Sequence, residues 1–189
     1  MDGDSTADAV SLVRLRPDGR CGAVLVVRTQ DRTLTHAFPT TSGAPGVPLL
    51  NGLASLAPVR PLQIVLTTWL GASTEFARVF AVRAGRIAEL AAPTSDGTFP
   101  YEGSVTHFNA IDCVHGRPGM IVASGWFERG SSGPSYGFER HFYRVGAHRF
   151  ELVRSRSGKT RIALPETKVF REFREPQPFP SCMRVRAAS

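Results

Sequence analysis

A segment of this chain occurs twice at an offset of 57 residues. Arg60-Pro61-Leu62-Gln63-Ile64-Val65, followed by Trp69, aligns with Arg117-Pro118-Gly119-Met120-Ile121-Val122, followed by Trp126. After a five-residue insertion the match resumes at an offset of 62, setting Arg78-Val79-Phe80-Ala81-Val82 against Arg140-His141-Phe142-Tyr143-Arg144. A repeat of this length points to one supersecondary unit used several times, each copy needing neighbours to bury its apolar face. A fainter copy opens the chain, with Asp8 to Leu12 in the place of Leu62 to Leu66.

The segments between the turn residues read as strands. Ala9–Leu15, Gly22–Val27 and Thr33–Phe38 form a first group; Gln63–Leu70, Glu75–Val82 and Arg86–Leu90 a second; Met120–Phe127, Phe138–Val145 and Arg149–Val153 a third. They are rich in β-branched and aromatic residues, their connectors carry Gly, Pro, Ser and Asp, and no stretch sustains a 3.6-residue apolar period. The expectation is an all-β domain of about three antiparallel units, 1–48, 49–105 and 106–158, with a tail at 159–189. Within that tail, Lys168 to Phe173 has the pattern of a closing strand, which would cover an exposed sheet edge.

With 189 residues and 42% apolar residues the chain is long enough for one folded domain with a sizeable core. It contains no run of 18 apolar residues that would span a membrane as a helix. The net charge is +7, carried almost wholly by arginine, since Lys159 and Lys168 are the two lysines. Those arginines are scattered one or two to a strand, as on a solvated face, rather than massed for nucleic acid. The densest groups, Arg154, Arg156, Lys159 and Arg161, then Arg184 and Arg186, are where a polyanion would bind. Cys21, Cys113 and Cys182 lack CxxC spacing, which argues against structural zinc and leaves one disulfide or three separate thiols. Cys182 is the attractive member of any bridge, because it would pin the proline-rich stretch 176–180.

The chain opens with Asp2-Gly3-Asp4-Ser5-Thr6-Ala7-Asp8, and two of its strands are entered through Val59-Arg60-Pro61 and Gly116-Arg117-Pro118. These resemble the acidic D-x-D-G-D-G-x-x-D loop and the G-R-P-D/E-I-V strand entry of FG-GAP or VCBS β-propeller repeats on bacterial surfaces. That resemblance implies a propeller-like architecture, here open or incomplete because three units are too few for the usual ring. It also implies an extracytoplasmic setting, secreted or anchored at the cell surface. The motif begins part-way through at residue 1, which suggests an upstream segment such as an export signal.

Several residues are candidates for chemistry. Asp2, Asp4 and Asp8 place alternating carboxylates in one loop, the oxygen-rich chemistry that calcium takes, so Ca2+ is the one cofactor expected, if any. Gly133-Pro134-Ser135-Tyr136-Gly137 matches the G-x-S-x-G nucleophile elbow, although between antiparallel strands it reads as a hairpin loop. His107, Asp112 and His115 form the one loose set suited to a metal or to acid–base work. Trp69 and Trp126 are equivalent in the repeat and are expected to plug the core; turned outward, they would form a stacking platform extended by Phe99, Tyr101 and Tyr136. The expected activity is non-enzymatic recognition of a protein or cell-surface polymer, with Arg154 and Arg156 assisting if the partner is anionic. The rivals are a secreted hydrolase using Ser135 or the His107 set, and a basic polyanion-binding domain.

Overall fold

The computed structural model describes residues 8–14, 22–38, 48–57, 62–129, 135–161 and 170–187. Strands β1 (Ala9–Arg14), β2 (Ala23–Arg28) and β3 (Thr33–Phe38) form a small antiparallel sheet. A larger antiparallel sheet contains β4 (Leu49–Ala54), β5 (Gln63–Leu70), β6 (Glu75–Arg83), β7 (Arg86–Leu90), β8 (Phe99–Gly103), β9 (His107–Cys113), β10 (Met120–Glu128), β11 (Tyr136–Val145), β12 (Phe150–Thr160) and β13 (Met183–Arg186). Its order is β12-β11-β10-β9-β8-β6-β5-β4-β13, with β7 beside the far half of β6. The all-β antiparallel expectation is therefore met. The strands of the second and third expected units are not separate blades, since β8 hydrogen-bonds to β6 on one side and β9 on the other.

One buried cluster draws on every stretch of the larger sheet. Val65 from β5, Ala77 and Val79 from β6, Phe99 and Tyr101 from β8, Ile111 from β9, Ile121 from β10, Tyr143 from β11 and Phe150 from β12 all meet in it. A sheet whose distant strands share one core must bend around it. Its opposite face is covered twice over. The small sheet lays Leu25 and Val27 against Ile64, Leu66, Phe80 and Ile87. Farther along, a 3-10 helix at Arg171–Arg174 and the preceding Phe170 cover Ala110, Trp126 and Phe138. Burial on both faces explains why β5 reads Ile64-Val65-Leu66 without alternation.

The tail differs from the expectation. Residues 171–174 are a 3-10 turn lying on a sheet face, not a closing strand; the edge at β4 is instead paired by β13. Between them, Phe179 enters the core fully buried, and its backbone N–H donates to the Ile111 carbonyl. Cys182 then bridges Cys113 at the end of β9. The single-bridge reading holds with Cys182 as a member; Cys21 lies outside the described residues.

The repeat also comes apart in detail. Ile64 and Ile121, aligned by the offset, face different clusters. The β5–β6 pairing has a bulge between Thr67 and Trp69, whereas β10–β11 runs in unbroken register. One extra residue turns every subsequent side chain to the opposite face, so the bulge resets Trp69 and Leu70, which follow it, whereas the difference at Ile64 is already present before it.

Candidate interaction surface

The larger sheet is buried on one or both faces along most of its strands, and its two end strands, the long β12 and the four-residue β13, are the departures. After the buried Phe150, every residue from Glu151 to Ser157 is exposed. β12 ends the strand order and is paired through its length with β11; at its start Arg149 forms a parallel bridge with Ala91 and Phe150 enters the central core. Leu152 is 55% exposed and Val153 47%, so apolar side chains stand in water beside the basic ones. A bulge where the β11–β12 register shifts at Phe142/Tyr143 inserts Val153 between Leu152 and Arg154.

Beyond the bulge, Arg154 stands opposite Phe142 and Arg156 opposite Arg140, all on one face. The Phe142 ring is flanked by two guanidinium groups, Arg154 at 4.1 Å and Arg140 at 5.1 Å from its centroid. Only one of these charges is balanced. Arg140 donates from Nε to Glu172 Oε1 at 2.7 Å and from Nη2 to Oε2 at 3.1 Å, and it lies over Phe170 at 4.5 Å. Ser124 Oγ also donates to Glu172 Oε1 at 2.5 Å. Among the described residues, Arg154 and Arg156 have no carboxylate in ion-pair range. The face thus grades from a neutralised, buried pair to unpaired cations at the open edge.

The other candidates fall elsewhere. Trp126 is buried under the tail and stacks on Tyr136, with ring centroids 4.4 Å apart. Trp69 is 42% exposed, because the tail aromatics Phe170 and Phe173 cover Trp126 and have no counterpart beside β5. The two tryptophans therefore form neither a shared plug nor a shared platform. Phe99 and Tyr101 belong to the central core and are not available for contact.

Tyr101 closes one end of that core in a polar group that sequence reasoning missed. Its hydroxyl donates to Glu75 and lies 2.5 Å from Thr67 Oγ1, which donates to Asn51 Oδ1 at 3.0 Å. Burial, reinforced by the Glu75 carboxylate, pushes the Tyr101 hydroxyl well above its ordinary value, which fixes it as a donor. Glu102 is likewise raised, by burial first and then by the charge of Glu75, and its φ is 61°. The signal was spread over four strands with no motif to join it.

The hydrolase candidates do not converge. His107 and Asp112 sit at opposite ends of β9, about 16 Å apart at the usual rise per residue. The Nε2 of His107 lies 3.3 Å from Ser73 and 3.2 Å from Thr74. Asp112 instead anchors the tail, accepting from the backbone N–H of Cys113 at 2.8 Å and of Ser181 at 2.9 Å. Burial raises the Asp112 pKa, an effect that these hydrogen bonds oppose without cancelling. His115 lies in the β9–β10 turn. The Ser135 carbonyl accepts from Arg129 N–H at 2.9 Å, and among the described residues no base is hydrogen-bonded to its hydroxyl. Asp2 and Asp4 lie outside the described residues; among the described residues, no cluster of three His, Cys, Asp or Glu could hold a metal. Among the described residues no helix is long and apolar enough to cross a membrane.

Comparison with protein-family models, curated proteins and solved structures returned no match in any of the three.

Proposed function

We propose that this chain is a non-enzymatic recognition module working outside the cytoplasm, with a protein or cell-surface polymer as its partner. The observation that carries the reading is the long, basic β12, which ends its sheet and is exposed at every residue from Glu151 to Ser157. Unpaired cations at an edge suit an anionic partner, because their desolvation is offset by opposite charge rather than by apolar contact. The extracytoplasmic part rests on the Cys113–Cys182 bridge, a cross-link that is rare where glutathione keeps thiols reduced. The non-enzymatic part is supported by the distance between His107 and Asp112 and by the use of Asp112 to hold the tail. Kinship with FG-GAP or VCBS repeats belongs to the same proposal, and its support is the acidic opening and the two Arg-Pro strand entries.

The test is intact mass and light scattering on the native gene product, recovered separately from culture medium and cell pellet. The expected species lies outside the cytoplasm, has a mass two hydrogens below that of the fully reduced chain, and elutes above monomer mass with its partner. A cytoplasmic monomer with all three thiols free would overturn the reading.

A further inference from the structure

We propose that β12 takes up an extended acidic peptide as an added strand, through the main-chain edge between Glu151 and Ser157, which has no strand partner beyond β11 among the described residues, and the side chains of Arg154 and Arg156. This rests on the recognition-module reading and specifies the class of its partner. Alternate residues of a terminal antiparallel strand point their N–H and C=O groups away from the sheet, which is the template that strand addition uses. β12 is the longest strand among the described residues, with eleven residues, and it ends the sheet. The other end is the four-residue β13, a much shorter edge.

The charge pattern selects the occupant. Arg154 and Arg156 are two residues apart on one face, so their spacing of about 6.7 Å is also the spacing of alternate residues in an added strand. Acidic residues at alternate positions would each have their Cβ about 5 Å from the Cβ of an arginine, within reach of its guanidinium. Lys159 and Arg161 extend the positive charge, and Glu151 is the one acidic residue of the strand. A second copy of this chain is the wrong occupant. Antiparallel pairing of two β12 strands about Ser155 would set Arg154 against Arg156, like charges directly opposed. A polyanionic polymer would satisfy the arginines, but it offers nothing to the unpaired main chain or to the exposed Leu152 and Val153. Those two side chains fit a partner whose intervening residues are apolar.

The probe is a fluorescein-labelled decapeptide alternating Glu and Val, titrated into the full chain by anisotropy, with dextran sulfate and an alternating Lys–Val peptide as comparisons. Amide exchange of β12 is followed by NMR with and without the probe. The expected result is binding of the Glu–Val peptide alone, with alternate amides between Leu152 and Ser157 slowed about tenfold. The R154E/R156E variant should lose about tenfold or more in affinity. Because Arg154 packs on Phe142, R156E alone serves as the second variant; its side chain is exposed, and its melting temperature should match the parent. Binding of the peptide without slowed β12 amides would overturn strand addition and leave the recognition module standing. So would dextran sulfate binding where the peptide does not. If none of the probes binds, the acidic-peptide proposal fails, while the export and partner measurement above decides the broader reading separately.

Discussion

The buried Glu172 carboxylate is held by two guanidinium hydrogen bonds and one from Ser124, in a site it leaves only 2% exposed. Removing one member of such a pair strands the other's charge, so Glu172→Ala is expected to cost about 3 kcal/mol or more by urea unfolding. An apolar pair of similar volume, R140M/E172L, should lie closer to wild type than either single change, because desolvation of both ions is removed together. Glu102 behaves in the opposite sense. Its folded-state pKa is raised, so the ionised form is the less favourable one in the fold, and stability falls as pH rises through its titration. Glu102→Gln should therefore be more stable than wild type at neutral pH. That advantage should shrink to nothing below the usual carboxylate range, which thermal melts across pH 3 to 8 would read.

Among the elements, the β6–β7 hairpin turns through Ala84 and Gly85, with φ values of 47° and 73°. A two-residue loop with both positions left-handed favours Asn-Gly, and alanine there is strained by its Cβ. Ala84→Asn is expected to raise stability by about 0.5–1 kcal/mol, measured as a shift in the urea midpoint with an unchanged slope. The same local rules show which elements could be read from sequence. Gln63–Leu70 and Arg86–Leu90 were legible to the residue because each has strand-forming side chains between turn signals. β4, β8 and β9 were hidden. β4 carries Asn51-Gly52, which reads as a turn; here Gly52 lies at φ 147° and a Cβ would meet the Val185 carbonyl of β13 at 2.0 Å, so the close pairing of β13 requires glycine. β8 contains Pro100 and ends in Gly103, and β9 contains Asn109 and Asp112, all poor strand formers that tertiary pairing overrides. The basic cluster at 154–161 was legible as composition. That it forms one uncovered edge was not, since this depends on where a tail some 20 residues farther along the sequence comes to rest.

In the whole molecule the tail acts as a fastener that touches both faces of one sheet. Phe170 and Phe173 cover the outer face, Phe179 fills the inner core, and the bridge to Cys113 closes a loop of 69 residues. Restricting a loop of that length in the unfolded chain stabilises by about 2–4 kcal/mol, so the C113A/C182A variant should unfold at correspondingly lower denaturant than the oxidised parent. A parent reduced under folding conditions should follow the variant. With the small sheet over β4–β7 and the tail over β9–β11, β12 is the long strand left open among the described residues, and the recognition proposal depends on that openness. Residue-resolved amide exchange of the free protein tests it most directly. The account predicts an alternating pattern along Glu151 to Ser157, with amides bonded to β11 exchanging slowly and those pointing outward exchanging near the rate of an exposed loop. Protection along all of β12 as uniform as that of β5 would show the edge to be covered, and would contradict the account.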